Sequence, residues 1–255
     1  TIVNSGLIRT DQGSAVGSPN RDIQNNVTNN AGGTIALHTD TNTCGCGNTH
    51  TWINDGTITT DPGTTATFTG TASGVLFFQP NSTGTFVNHG RAEIAGGFTN
   101  TAGSTSGHPI ELCNSPLDAS SPAAASFEFD NLPNINCAQG GGQLSGDIGA
   151  QTAVLIHNDS PSGALLVTAT TDLTNHGVLT MDGGAGTAED QLLGSHTLTN
   201  AGTLNLSQGA TGQIQLALTN VGVVNLTAGT TINMMFHPLT VSGGTLTVTG
   251  SLNTA

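Results

Sequence analysis

The sequence predicts an all-β chain that coils as a right-handed parallel β-helix, that is, a β-solenoid. Three observations predict this fold. A motif with the pattern apolar, any, Asn, any, Gly, any, apolar recurs along the chain, and the short runs that follow it alternate apolar and polar residues. In addition, no window of ten or more residues carries apolar residues at helical spacing.

The recurring motif predicts a sharp corner in each coil. Glycine adopts positive φ at little cost, and an asparagine at the same corner of successive coils can stack its amide on the next one. The predicted corner residues are the asparagines Asn4, Asn54, Asn88, Asn175, Asn200 and Asn220, with the glycines Gly6, Gly56, Gly90, Gly177, Gly202 and Gly222.

The runs after each corner predict short strands with one face inside the coil. Thr203-Leu204-Asn205-Leu206 has the period of two that such a strand requires. Coils of about 20 to 25 residues, stacked about 4.8 Å apart, predict roughly ten coils in a rod on the order of 50 Å long. A β-sandwich with Greek-key strands is the alternative, but it does not predict one corner motif repeated along the chain.

The Leu-Thr-Asn-x-Gly repeats resemble those of bacterial secreted parallel β-helix surface proteins. These include proteins of the filamentous-haemagglutinin type, autotransporter passengers and related surface proteins of Gram-positive bacteria. The resemblance covers residues 1–104 and 171–250. It implies a secreted or cell-surface coil, but the same scaffold serves adhesins, lyases and phage tailspikes, so it leaves function open.

The predicted domain organisation is one continuous solenoid with an irregular middle. Coils are expected over 1–104 and 149–255, and a loop-rich insertion over 105–148, where Pro, Ser and Gly interrupt the pattern. We expect the chain to be part of a longer array, and its partners to be copies of itself or flanking repeats.

Charge argues against two classes of partner. The chain has 16 acidic residues, three arginines and no lysine, for a formal net charge of −13. Such a chain repels nucleic acid phosphates and anionic membranes. No apolar run approaches the roughly 18 residues of a membrane-spanning helix, so no membrane insertion is expected.

The four cysteines favour an oxidising compartment. Cys113 and Cys137 bracket the predicted insertion, and a disulfide between them would stabilise it by roughly 3 kcal/mol. Cys44 and Cys46 allow a strained disulfide, free thiols, or a zinc site with His38 and His50, although the spacing matches no familiar zinc motif.

The carboxylates suggest two further sites. Asp182, Glu189 and Asp190 lie around a glycine-rich loop that a calcium ion could use, although no regular calcium-binding spacing is present. The set Glu93, Glu111 and Glu128 contains candidates for the carboxylate pair of a glycoside hydrolase, but nothing in the sequence fixes their geometry, so no catalytic residue is assigned. The absence of lysine argues against a lyase of anionic polysaccharides.

The sequence therefore favours an extracellular structural or adhesive module, without enzymatic activity, that assembles end to end into fibres. The alternative is a rod of tailspike type that binds or cleaves polysaccharides, so glycans are a second candidate partner. A further alternative is ice binding by Thr-x-Thr runs such as Thr57–Thr59 and Thr245–Thr249.

Overall fold

The computed structural model of the chain is a parallel β-solenoid without a helix in its described part. It describes residues 1–11, 21–43, 49–68, 75–113, 115–130, 141–158, 163–182, 189–207, 211–234 and 237–254. Every strand pair in these ranges is parallel, as stacked coils require. The predicted fold class is confirmed.

The described residues form thirty strands, most of them three to six residues long. In chain order they are β1 Ile2–Asn4, β2 Leu7–Thr10, β3 Arg21–Asp22, β4 Val27–Asn29, β5 Thr34–Leu37, β6 Thr41–Asn42, β7 His50–Asn54, β8 Thr57–Thr60, β9 Thr65–Phe68, β10 Val75–Gln79, β11 Thr85–Asn88, β12 Arg91–Ile94, β13 Gly96–Asn100, β14 Ser104–Gly107, β15 Ile110–Leu112, β16 Ser115–Asp118, β17 Ala125–Asp130, β18 Gly141–Leu144, β19 Thr152–His157, β20 Leu165–Ala169, β21 Leu173–Asn175, β22 Val178–Asp182, β23 Asp190–Asn200, β24 Thr203–Leu206, β25 Thr211–Asn220, β26 Val223–Leu226, β27 Thr231–Met234, β28 Leu239–Val241, β29 Thr245–Val248 and β30 Ser251–Thr254.

The strands form three sheets that run along the axis of the solenoid. Sheet A has 14 strands and extends from β1 to β30. Sheet B has five strands and ends at β14, whereas sheet C has 11 strands and runs from β3 to β29. Each early coil therefore contributes strands to sheets A, B and C, whereas the coils after β14 contribute strands to sheets A and C.

The core is built by the inward residues of each strand. Strands such as β8 and β19 alternate buried and half-buried residues, which is the predicted period of two. One continuous apolar cluster runs from Val27 to Met234. Its aromatic part is a stack in the early and middle coils, where the ring centroids of Phe77 and Phe98 lie 4.8 Å apart and those of Trp52 and Phe68 lie 5.1 Å apart.

Two buried asparagine ladders tie successive coils together. In the first, the amide of Asn4 donates to the side-chain oxygen of Asn29, and Asn29 donates to Asn54, both at 2.8 Å. In the second, Asn175 donates to Asn200 and Asn200 donates to Asn220, again at 2.8 Å. The bonded asparagines are 25 or 20 residues apart, which gives the length of one coil. The predicted stacking of corner amides is therefore present.

Asn88 does not belong to these ladders, contrary to the sequence prediction. It lies at the corner between sheet B and sheet C, whereas Asn4 and Asn54 lie at the corner between sheet A and sheet B. There its side-chain oxygen accepts a hydrogen bond from the Thr60 hydroxyl at 2.8 Å, and its amide donates to the carbonyl of Pro109 at 2.9 Å. The motif therefore marks more than one corner of the coil.

The corner glycines are required for a different reason from the one predicted. Gly56, Gly177 and Gly202 do not have positive φ. A Cβ atom on each of them would instead lie 2.2–2.3 Å from a backbone oxygen of the preceding coil. Glycine is needed because the coils approach each other too closely at this corner for any side chain.

The segment 105–148 also differs from the prediction of a loop-rich insertion. Its described parts are strands in the coil: β14 pairs with β11, β15 with β12, β16 with β13, β17 with β15 and β18 with β16. The Asn-x-Gly motif is missing because Ser121 makes this corner. Its buried hydroxyl donates to the carbonyl of Gly103 at 2.7 Å and accepts from the backbone N–H of Ala123 at 3.1 Å. Residues 131–140 lie outside the described ranges.

One rung of the first ladder is broken at Gln79. In the next coil, the position that Asn54 has in the ladder is occupied by Gln79. Gln79 in turn lies in register with Asn100 of the following coil. Both side chains are fully buried, yet the side-chain oxygen of Gln79 and both polar atoms of the Asn100 amide have no hydrogen-bond partner. A buried polar group without a partner costs about 1–3 kcal/mol.

We expect Gln79→Asn to stabilise the protein by about 1–2 kcal/mol, because the shorter amide can continue the ladder from Asn54 to Asn100. Urea unfolding followed by the fluorescence of Trp52, the single tryptophan, measures this change. Gln143→Asn is the matched control, since Gln143 is exposed on the same sheet and the substitution should be neutral there. A lower urea midpoint for Gln79→Asn would contradict the ladder explanation.

Candidate functional site

Three glutamates form a row on the outer face of sheet C. Glu93 of β12, Glu111 of β15 and Glu128 of β17 lie in register in adjacent strands, and we call them the acidic row. Adjacent strands are about 4.8 Å apart, and like charges directly opposite one another destabilise a sheet. The row thus concentrates negative charge at a cost to the fold.

Arg91 compensates part of this charge. Its Nε donates to both carboxylate oxygens of Glu111, at 2.9 and 2.7 Å, and lies 3.1 Å from Oε1 of Glu93. The hydrogen bond to Glu111 raises the pKa of the guanidinium, so the group stays charged. Glu93 is nearly covered, with 5% of its side chain exposed, whereas 19% of the Glu111 side chain is exposed.

A second group of ionisable side chains lies next to the acidic row, where sheet C ends and sheet A begins. Asp130, His157 and Asp182 are in register at the ends of β17, β19 and β22, and Asp190 is the first residue of β23. Nδ1 of His157 is 3.1 Å from the carbonyl oxygen of Asp182. We call these four residues the corner cluster.

One carboxyl of the corner cluster, Asp190, has a raised pKa. It is fully buried, and this burial raises its pKa from 3.8 to about 8. The charges of Asp182 and Asp130 act in the same direction, while His157 and a hydrogen bond from Asn158 oppose the shift. Asp190 is therefore protonated at neutral pH.

We expect the protein to lose stability as the pH rises from about 4 to about 8, by up to roughly 1 kcal/mol per pH unit from this residue. In that range the folded state holds a proton on Asp190 that the unfolded chain has released, so each rise in pH favours unfolding. Asp190→Asn should remove this contribution, which is measured as the difference between wild type and variant in urea unfolding across the range. The exposed Asp22→Asn is the control. Identical pH profiles for wild type and Asp190→Asn would exclude a proton on Asp190.

The calcium site predicted at Asp182, Glu189 and Asp190 is not assembled in the described residues. Within the ranges that the structure covers, no three His, Cys, Asp or Glu side chains are placed to hold a metal ion. The carboxylate of Glu189 accepts hydrogen bonds from the amides of Gln191 and Gln213 at 3.0 and 2.6 Å instead.

The cysteines are described only in part. Cys113 is buried and is disulfide-bonded. Cys44, Cys46 and Cys137 lie outside the described residues, so the pairing of Cys113 with Cys137 and the proposed zinc site stay predictions. His38, one of the candidate zinc ligands, lies 2.6 Å from a carboxylate oxygen of Asp61 through its Nδ1.

The Thr-x-Thr runs do not lie on one face. Thr57 and Thr59 belong to β8 of sheet B, whereas Thr245 and Thr247 belong to β29 of sheet C. Thr249 follows β29 and uses its hydroxyl to donate to the carbonyl of Leu226 at 2.9 Å. These runs therefore do not form a single flat array of hydroxyl groups.

Sequence reasoning identified Glu93, Glu111 and Glu128 individually but not the group that they form with Arg91 and the corner cluster. These residues come from successive coils of unequal length, so their alignment is visible only in the strand register. The sequence does contain one feature that indicates this group: an acidic residue or a histidine recurs at an outward position of one strand in successive coils.

The two ends of the described solenoid form a second candidate surface. The inward residues Ile2, Ile8 and Ile23 of the first coil are only partly buried, as are Leu239, Leu246 and Leu252 at the other end. Equivalent residues one coil further in, such as Ile35 and Val224, are at most 2% exposed. The last coil closes an apolar cavity whose lining includes Met234, Leu239, Leu246 and Leu252.

Comparison of the chain with family models, with curated proteins and with solved structures found no match. The described part of the chain also contains no helix with the length and hydropathy needed to cross a membrane.

Proposed function

We propose that this chain is an extracellular structural or adhesive module whose coils are continued by further coils at its ends. The observation that carries this proposal is the pair of open ends, each with three partly buried aliphatic side chains of the coil interior. Each fully buried aliphatic side chain contributes about 1.5–3 kcal/mol relative to an exposed one, so covering these ends is favourable.

The strands at the ends support the same proposal. β1, β2 and β3 pair with strands on one side only, and so do β28, β29 and β30. Their other sides present unpaired backbone N–H and C=O groups, which are a template for another parallel strand. A solenoid grows by this contact alone, because each coil interacts only with its neighbours.

Electron microscopy of the purified chain under non-reducing conditions tests this function. We expect fibres of uniform width whose length increases with protein concentration. Discrete particles at every concentration would contradict self-assembly. Binding to immobilised cell-surface material is the second readout, because adhesion requires it.

A second candidate function, recognition or cleavage of a polysaccharide, is favoured by the acidic row and the corner cluster. The strand spacing of about 4.8 Å is close to the separation of about 5 Å between the two carboxyl groups of retaining glycosidases. In the neighbouring corner cluster, burial raises the pKa of Asp190 to about 8, and a raised carboxyl pKa is typical of general acids in glycosidases.

Screening of soluble polysaccharides for binding and for release of reducing ends tests this candidate. We expect Glu128→Gln to abolish any activity found, since Glu128 is the partly exposed end of the acidic row. The control is Asp55→Asn, where the half-buried residue lies at a different corner and its carboxylate accepts a solvent-exposed hydrogen bond from Asn81 at 2.8 Å. Activity that survives Glu128→Gln and is lost in Asp55→Asn would place the site elsewhere.

A further inference from the structure

The outer face of sheet B carries two columns of small, uncharged side chains. They come from β5, β8, β11 and β14, four strands that pair in register without a bulge, and each strand provides two outward residues, two positions apart. We call these side chains the hydroxyl face. In order along the axis, the first column is Thr34, Thr57, Thr85 and Ser104, and the second is Ala36, Thr59, Val87 and Ser106.

The first column consists entirely of hydroxyl groups from neighbouring coils. Thr57 pairs with Thr34 on one side and with Thr85 on the other. Oγ1 of Thr85 lies 3.3 Å from Oγ of Ser104, so the column continues to the last strand of the sheet. Because β-branching restricts χ1 of threonine, the hydroxyl and methyl groups are held in place before any contact is made.

Buried side-chain hydrogen bonds between coils hold both edges of sheet B. At the edge next to sheet A, the amide of Asn29 donates to Asn54 at 2.8 Å. At the edge next to sheet C, the hydroxyl of Thr60 donates to Asn88, also at 2.8 Å. Side-chain ladders of this kind are one of the few devices that keep a sheet flat.

The hydroxyl face therefore presents a regular array to the solvent. Its side chains repeat about every 4.8 Å between strands and about every 6.6 Å along a strand. These two repeats are similar to those of the oxygen atoms in hexagonal ice. Ser106 is exposed and most of the other side chains are half-buried, whereas Ala36 is 7% exposed.

We infer that the hydroxyl face binds ice. The Thr57–Thr59 run, which the structural role does not use, lies within the face. None of its side chains is charged, so none holds the strong hydration shell that a charged group keeps. None is aromatic, which distinguishes the face from a surface that stacks on sugar rings. The nearest cation, Arg9 of β2, pairs with Ala36 and marks the border of the face.

Ice binding goes beyond the proposed structural role and involves neither end of the solenoid. Sheet B ends at β14, in the middle of the chain, while sheets A and C continue. The face is built only by coils whose neighbours are described on both sides in sheet A. Ice binding and end-to-end assembly can therefore be tested separately on the same protein.

Thermal hysteresis of wild type and Thr57→Tyr at equal concentration tests this face. We expect hysteresis in the wild type and a decrease of at least about tenfold in the variant, because the ring would hold the surrounding side chains away from a flat ice surface. Thr168→Tyr is the matched control, since Thr168 is a half-buried, outward threonine of β20 in sheet A. Ser106→Tyr is a second variant of the face, at an exposed position of its last strand, where a ring should not disturb folding.

Circular dichroism identifies the variants that fold, and only these are compared. Hysteresis that is lost in the folded variants of the hydroxyl face and kept in Thr168→Tyr supports the inference. A wild type without hysteresis overturns it, also where the protein adsorbs to crystalline cellulose or chitin instead. Hysteresis that survives in Thr57→Tyr and Ser106→Tyr, or that falls equally in Thr168→Tyr, overturns the assignment to sheet B.

Discussion

Gly202→Ala should prevent the later coils from stacking and cost at least about 4 kcal/mol of folding free energy, a size reserved for the most disruptive substitutions. The added Cβ atom would lie 2.2 Å from the carbonyl oxygen of Gly177 and 2.6 Å from the carbonyl carbon of His176. Both are backbone atoms of the preceding coil, so the clash is relieved only by separating two coils. Urea unfolding followed by circular dichroism measures the loss.

Gly6→Ala is the matched control for this substitution, because it changes the equivalent corner residue where no coil lies above it. Measured at a concentration at which the protein is monomeric, it should shift the unfolding free energy by less than about 0.5 kcal/mol. Equal losses at Gly6 and Gly202 would mean that the glycine is needed for local backbone conformation and not for coil contact.

Asn200→Ala should destabilise the protein by roughly 3 kcal/mol, because it removes the central rung of a buried ladder. The amide of Asn175 loses an acceptor, and the side-chain oxygen of Asn220 loses its donor. The carbonyl of Val223 loses a hydrogen bond of 2.9 Å from the same amide. Thermal and urea unfolding both report this loss.

A solvent-exposed pair of asparagines that makes the same side-chain hydrogen bond is the control for this substitution. Asn253 donates to Asn233 at 2.8 Å across one coil of 20 residues, as Asn200 donates to Asn220, but this pair is exposed. Asn253→Ala should therefore cost less than about 0.5 kcal/mol, since water replaces the lost partner. Similar losses for Asn200→Ala and Asn253→Ala would show that burial does not determine the strength of the ladder.

The coil architecture was predictable because a short motif recurs at corners of the coil, most often at the corner where sheet A ends. Asn200 and Gly202 each have a local chemical requirement, an amide partner and the absence of a side chain, that repeats in sequence. The corner at Ser121 was not predictable in this way, since a buried hydroxyl meets the same requirement with a different residue. The sequence of segment 105–148 therefore resembles that of a loop, although its described parts belong to the coil.

The candidate site was predictable only as a set of residue types. Glu111 and Glu128 are 17 residues apart, whereas His157 and Asp182 are 25 apart, so no fixed spacing connects them. What aligns them is the strand register, which is set by the apolar residues on the inner face and not by the charged residues themselves. The raised pKa of Asp190 depends on burial at a sheet boundary that the sequence does not mark.

The aromatic stack gives the rod unequal resistance to pulling along its length. Its members Trp52, Phe68, Phe77, Phe98 and Phe127 lie in the early and middle coils, while the later core is built from Leu, Ile, Val and Met. Because each coil is held only by its neighbours, a force applied at the two termini should detach coils one at a time, starting at the carboxyl end. The coils that contain the aromatic stack would be the last to unfold. After the force is removed, they would provide the template on which the other coils refold.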